Sequence, residues 1–124
     1  MSVKLLHSEN LRDGDGTEWN TKTFTSGTTY WSKGIKIVKS NTLASLLAVR
    51  TAGTVTITYE LSLNDSDWYA PVDTSATALD EVATGILTTQ WIVFTPQIAN
   101  YLRFKVVPAI TGAWAMRYIQ QEEV

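Results

Sequence analysis

His7 is the only histidine in the sequence, and there is no cysteine. Those two counts restrict most of the chemistry open to the chain. A Ser-His-Asp triad would have to use His7, and no Gly-x-Ser-x-Gly elbow presents a nucleophile to it. A zinc site built from one histidine and no thiolate is equally poor. The plainer reading of His7 is a strand residue near the N-terminus. Asp13-Gly14-Asp15-Gly16-Thr17-Glu18 spaces hard oxygen ligands at alternate positions, as calcium requires. Asp13 and Asp15 are therefore weak calcium candidates. The EF-hand pattern fails, because Glu18 stands where the turn glycine belongs and Phe24 where the bidentate acid belongs. A Gly-rich surface turn explains the run better. Asp65, Asp67, Asp80 and Glu81 offer paired carboxylates of the glycosidase kind, but any acidic chain contains such pairs. Phosphate-cradling glycine motifs are missing. The expectation is a protein that is not an enzyme and that needs no cofactor.

Binding chemistry is better represented. An indole face covers the apolar face of a sugar ring, and Trp19, Trp31 and Trp68 lie in or beside expected loops. They are the glycan candidates; the competing role for each is core filling. Lys33, Lys36 and Lys39 recur along one segment, and Arg103, Lys105 and Arg117 are expected to share one outer face. Such charges attract an acidic partner, or more plainly keep strands from pairing with strangers.

The elements that position these residues are strands. Val55, Ile57, Tyr59, Leu61 and Leu63 alternate with Thr54, Thr56, Thr58, Glu60 and Ser62, a period of two with one apolar and one polar face. Asn64-Asp65-Ser66-Asp67 supplies turn chemistry, and Trp68-Tyr69-Ala70 reads as the returning strand. Further on, Leu102, Phe104 and Val106 alternate with Arg103 and Lys105. Residues 108–112 read as a turn, and Trp114, Met116 and Tyr118 alternate in a second arm, so a closing hairpin is expected there. The tail from Gln120 is expected to be solvated. Residues 43–49 and 91–94 differ, being apolar on both faces. Such a strand lies deep in a layered core or sets its outer face against another subunit. Leu43, Leu47, Val49, Trp91 and Val93 are the interface candidates. A short helix competes for residues 43–49, and strand is preferred because the neighbours are strands. Residues 8–32 are polar with isolated aromatics and read as a long loop or arm.

The 124 residues suit one domain, divided into an N-terminal strand and polar arm over 1–32 and a core over 33–124. The expected fold is all-β: an antiparallel β-sandwich, jelly-roll-like, with about eight strands. A charged fraction of 18% beside five tryptophans and five tyrosines fits two readings equally: a partner covers part of the surface, or the large aromatics fill the core. The net charge of −2 sets up no field to gather nucleic acid or an anionic membrane, so neither is expected as a partner. The N-terminal Met-Ser-Val-Lys-Leu-Leu-His lacks an apolar h-region, so no secretory signal is expected.

Several segments together resemble a known group. Gly53-Thr54-Val55-Thr56-Ile57-Thr58-Tyr59-Glu60-Leu61-Ser62, a polar turn and Trp68-Tyr69 come first. Ala83-Thr84-Gly85, Phe94-Thr95-Pro96, Tyr101-Leu102-Arg103-Phe104-Lys105-Val106 and the closing segment from Gly112 to Tyr118 follow. Over residues 50–120 this resembles the small β-sandwich virion proteins of tailed bacteriophages. The resemblance implies a capsid-decorating, head-fibre or tail-associated subunit. It also implies a symmetric homo-oligomer in contact with other virion proteins, such as a capsid or tail protein, assembled in the host cytoplasm. It brings no catalytic or ligand residue. The other class in view is a carbohydrate-binding module using the tryptophans named above.

Overall fold

The computed structural model describes residues 2–37, 43–97 and 99–123, and these form no helix. Eight strands are present: β1 (Val3–Asn10), β2 (Lys22–Phe24), β3 (Tyr30–Trp31), β4 (Ile35–Lys36), β5 (Leu43–Ser62), β6 (Glu81–Ile86), β7 (Gln90–Phe94) and β8 (Tyr101–Glu123). The fold is all-β and every strand pairing is antiparallel. All eight belong to one sheet. β8 is its spine. β5 pairs along one edge of β8 from Leu43↔Gln121 to Ser62↔Tyr101. β1, β2, β3 and β4 follow one another along the opposite edge, reaching Leu102 and Tyr101 at β4. On the far side of β5, β7 pairs with its first half and β6 with its second.

The long strands do not run straight. Phe104 and Tyr118 stand fourteen positions apart on β8, a span of roughly 46 Å if extended. Their ring centroids are 5.9 Å apart. Phe94, paired with Ala44 at one end of β5, lies 5.8 Å from the ring of Tyr59 at the other end and 5.7 Å from Phe104. The β5–β8 ribbon therefore doubles back, and the two halves of one continuous sheet face each other across the core. The all-β antiparallel expectation is met by one continuous eight-stranded sheet, and the second, separately bonded sheet of a sandwich is not present among the described residues.

The bend has a cause in the sequence. Pairing between β5 and β8 shifts register between Arg50 and Val55. A net slip of one residue exchanges the faces of a strand. Accordingly, Ala44, Leu46 and Ala48 are buried before the bend, and Val55, Ile57 and Tyr59 after it. Gly53 sits at φ 92°, in the left-handed region where glycine bears no Cβ penalty. Gly112 lies so close to the backbone of Ala52 that a Cβ there has no room. A turn at residues 25–28 crosses to the bend, with Ser26 N donating to Thr111 Oγ1 at 2.8 Å and Ser26 Oγ donating to the Ala109 carbonyl at 3.2 Å.

Four expectations change. The closing hairpin over residues 101–119 is a single strand: β8 folds back through residues 108–112 together with β5, and the two stay paired to each other, so β8 never pairs with itself. Residues 8–32 are no free arm; they lie along the β8 edge and insert Leu11, Trp19 and Phe24, all fully buried, into the core. Trp68-Tyr69-Ala70 yields only an isolated bridge, Leu61↔Tyr69. The C-terminal tail is paired rather than solvated, and Gln120 is buried between His7 and Ala44. Residues 43–49 form strand, as preferred over helix.

Candidate interaction surfaces

Fold-back gives the molecule two outward faces, and their chemistry differs. The first is the outside of β1, the C-terminal half of β8, the first half of β5, and β7. Leu47 pairs across to Trp91 on one side and to Arg117 on the other, Ser45 to Val93, Val49 to Ala115, and Leu43 to Gln121. Directly opposed residues of an antiparallel pair share a face, so Leu43, Leu47, Val49, Trp91 and Val93 form one contiguous apolar field. Trp91 is 54% exposed and Val93 69%. The sequence reading missed Leu5, which is 58% exposed and opposes Gln121 on the same face. The signal was weak because the register shift between Leu5 and His7 breaks the alternation in β1. Arg117 stands within this apolar field and is held down: its Nε donates to Ser8 Oγ at 2.7 Å and its Nη1 to Asn10 Oδ1 at 2.9 Å.

The second face is the outside of β3, the N-terminal half of β8 and the second half of β5. Its centre is Arg103. The guanidinium donates from Nε to Glu60 Oε1 at 2.7 Å, and its Nη2 lies 2.6 Å from the same oxygen in an ion pair. Its carbon lies 5.6 Å from the Trp31 ring centroid and 4.7 Å from that of Trp68. Arginine between two indoles and a carboxylate is a stack of cation–π contacts closed by an ion pair. Trp31 is 43% exposed and Trp68 half-buried. The loop carrying Trp68 rests on Gly34, where a Cβ would collide with Asp65 and with the Trp68 ring. Lys33 and Lys36 are exposed; Lys39 lies outside the described residues. Arg103 and Lys105 belong to this face, but Arg117 belongs to the other. The three were expected together, and the fold-back of β8 separates them.

Trp19 is not a surface aromatic. It is fully buried, packs edge-on against Phe24 at 5.3 Å, and donates from Nε1 to Asp13 Oδ1 at 2.7 Å. That removes it from the glycan candidates. Asp13 Oδ2 accepts from Lys22 Nζ at 3.1 Å, so both carboxylate oxygens have partners within the chain. Lys22 in turn lies 5.2 Å from the centroid of Tyr30. Asp15 is fully exposed and accepts from the Thr17 amide at 2.9 Å, a bond that holds its carboxyl below the ordinary range. No group of three or more metal-ligating side chains occurs among the described residues.

The remaining candidates are scattered. His7 Nε2 lies 3.5 Å from Glu9 Oε1 on β1. Asp67 accepts from Asn64 Nδ2 at 2.8 Å, and Glu81 from Thr84 Oγ1 at 2.6 Å, each within its own segment. A cleft of about 170 Å³ opens between β1 and the segment leading into β4, with Glu9, Arg12 and Lys33 on its walls. Its charges are of both signs, and none of Asp65, Asp67, Asp80 and Glu81 lines it.

In comparisons with known proteins, no family model matches the chain and no curated protein matches its sequence.

Proposed function

We propose that this chain is a non-enzymatic structural subunit of a virion, of the capsid-decorating or tail- or head-associated kind, acting through contacts with copies of itself and with a capsid or tail protein. One observation carries the assembly part: a contiguous outward apolar field on Leu43, Leu47, Val49, Trp91 and Val93, more than a monomer's own core requires. The virion part rests on the resemblance of residues 50–120 to small phage sandwich proteins.

A second reading draws on Trp31 and Trp68. Two indoles that straddle an arginine leave ring faces at the surface, and a carbohydrate-binding module would use them. One sample separates the two. Light scattering across a hundredfold concentration range gives a defined oligomer under the assembly reading, and polysaccharide leaves tryptophan fluorescence unchanged. A monomer at every concentration, with fluorescence that shifts on adding polysaccharide and no longer shifts in Trp31→Ala, replaces assembly with sugar binding.

A further inference from the structure

Every open sheet is a template for further pairing at its edges, and folded proteins blunt those edges with charges, bulges, proline or brevity. The outer edges of this sheet can be compared strand by strand. β1 carries Lys4, His7 and Glu9 and a register shift between Leu5 and His7. β2, β3 and β4 are three, two and two residues long. β6 begins at Glu81, pairs with β5 through two register shifts, and contains Gly85 at φ 58°. β7 has none of these devices. Gln90-Trp91-Ile92-Val93-Phe94 contains no charge, glycine or proline, and its pairing with β5 runs in unbroken register from Ala48↔Gln90 to Ala44↔Phe94. Among the described residues β7 pairs only with β5, so its other edge is open.

We infer that the open edge of β7 is where a second copy of this chain docks, β7 against β7, antiparallel about a two-fold axis at Ile92. This rests on the assembly reading above and names its partner and its contact. The partner is a second copy because the strand is its own complement. With Ile92 opposite Ile92, Trp91 of each copy falls opposite Val93 of the other, an aromatic–β-branched cross-strand pair of the kind that stabilises sheets. Since β7 has no charge, self-pairing opposes no like charges. A two-fold axis normal to the sheet keeps outer faces on one side. The apolar field of one copy then continues into that of the next, and four strands (β1, β8, β5, β7) become eight. A foreign strand would also meet the ladder, but only a second copy repeats the Trp91 and Val93 pattern at the right register.

A five-residue ladder sits at the small end of specific interfaces, below the roughly 800 Å² per partner of a standard one. The pairing is therefore reversible and concentration-dependent.

The test compares wild type with Val93→Lys by light scattering over a hundredfold concentration range, with hydrogen exchange of residues 90–94 at both ends. Val93 is largely exposed, so lysine there leaves the fold intact; an unchanged circular dichroism spectrum and melting temperature verify this. Gln90→Lys, at the other end of the same strand, serves as the second variant. The expected result is a wild-type mass that doubles with concentration while the β7 amides gain protection, and both variants held at monomer mass. If the variants assemble like wild type, or β7 exchange is the same at both concentrations while mass rises, assembly stands and the β7 edge is the wrong contact. A wild type that stays monomeric throughout overturns both.

Discussion

Asp13 and Tyr118 illustrate how much single positions depend on partners distant in sequence or in space. The sequence offers Asp13 as half of an acidic, Gly-spaced pair and Trp19 as an exposed indole. Together they are one structural device: the carboxylate satisfies the buried indole N–H and anchors Lys22, whose ammonium stands over the surrounding rings. Local spacing signals a ligand-like aspartate in both cases, and only burial of the indole separates them, which no residue between 13 and 19 encodes. Tyr118 was legible as a core residue from alternation, and its environment makes a pH prediction. Burial, reinforced by the charge of Glu9, pushes its phenol up to about 12 from an ordinary value of 10.0. Between those values the folded chain keeps the proton and the unfolded chain releases it, so rising pH favours unfolding. The contribution is whole below pH 10 and declines through pH 12 by about 3 kcal/mol. Urea unfolding at pH 8, 10 and 11.5 should show this fall, and Tyr118→Phe should flatten it. An equal slope in the variant would assign the loss to other groups, Tyr59 first, whose phenol burial also raises.

Strand parity was the clue to the element that mattered most. Leu102, Phe104 and Val106 are buried at even positions and so are Trp114, Met116 and Tyr118, consistent with one strand that keeps the same face inward along its whole length. In β5 the buried set passes from even to odd, which calls for a one-residue slip. Pro108 and Gly112 hid this, because the residues that turn a chain back are also those that let a paired strand bend. The outward apolar strands, by contrast, were legible, since a strand apolar on both faces needs two coverings wherever the chain goes. The bend itself depends on two backbones approaching closely. A Cβ at Gly112 meets the Ala52 carbonyl and the Gly53 Cα, neither of which belongs to a side chain that can swing away. Gly112→Ala should therefore cost roughly 3 kcal/mol or more, the upper range for overpacking a tight contact. Thermal unfolding measures it, with Thr51→Ala, at an exposed position beside the bend, as a control that adds no atom at the contact. If Gly112→Ala melts with wild type, the ribbon has slack at its corner and the glycines are not what sets the fold-back.

At the scale of the whole chain, the N-terminal third is the part whose role changes most. Read alone, residues 1–32 resemble an appendage to a core at 33–124, because their aromatics are isolated and their composition is polar. That polarity reflects an edge: β1 to β4 cover one side of β8 and meet solvent on the other, so few of their side chains need be apolar. The few that are go to the centre, with Leu11, Trp19 and Phe24 fully buried. Val3 pairs with Glu123, which closes the chain end to end. Removing residues 1–32 would withdraw three large side chains, each worth on the order of 2 kcal/mol or more when fully buried. It would also bare most of the edge of β8, the longest strand in the sheet. Since a domain of this size has only about 5–15 kcal/mol of net stability, the fragment 33–124 should fail to fold cooperatively. Its freshly exposed edge should drive it to aggregate. The expected observation is collapsed amide dispersion by NMR and no cooperative melt, while the full chain gives both. A fragment 33–124 that melts cooperatively would mean that β5 and β8 with β6 and β7 close a core of their own. The N-terminal third would then be free to leave β8 and reach a neighbour, and assembly would have a second edge to use.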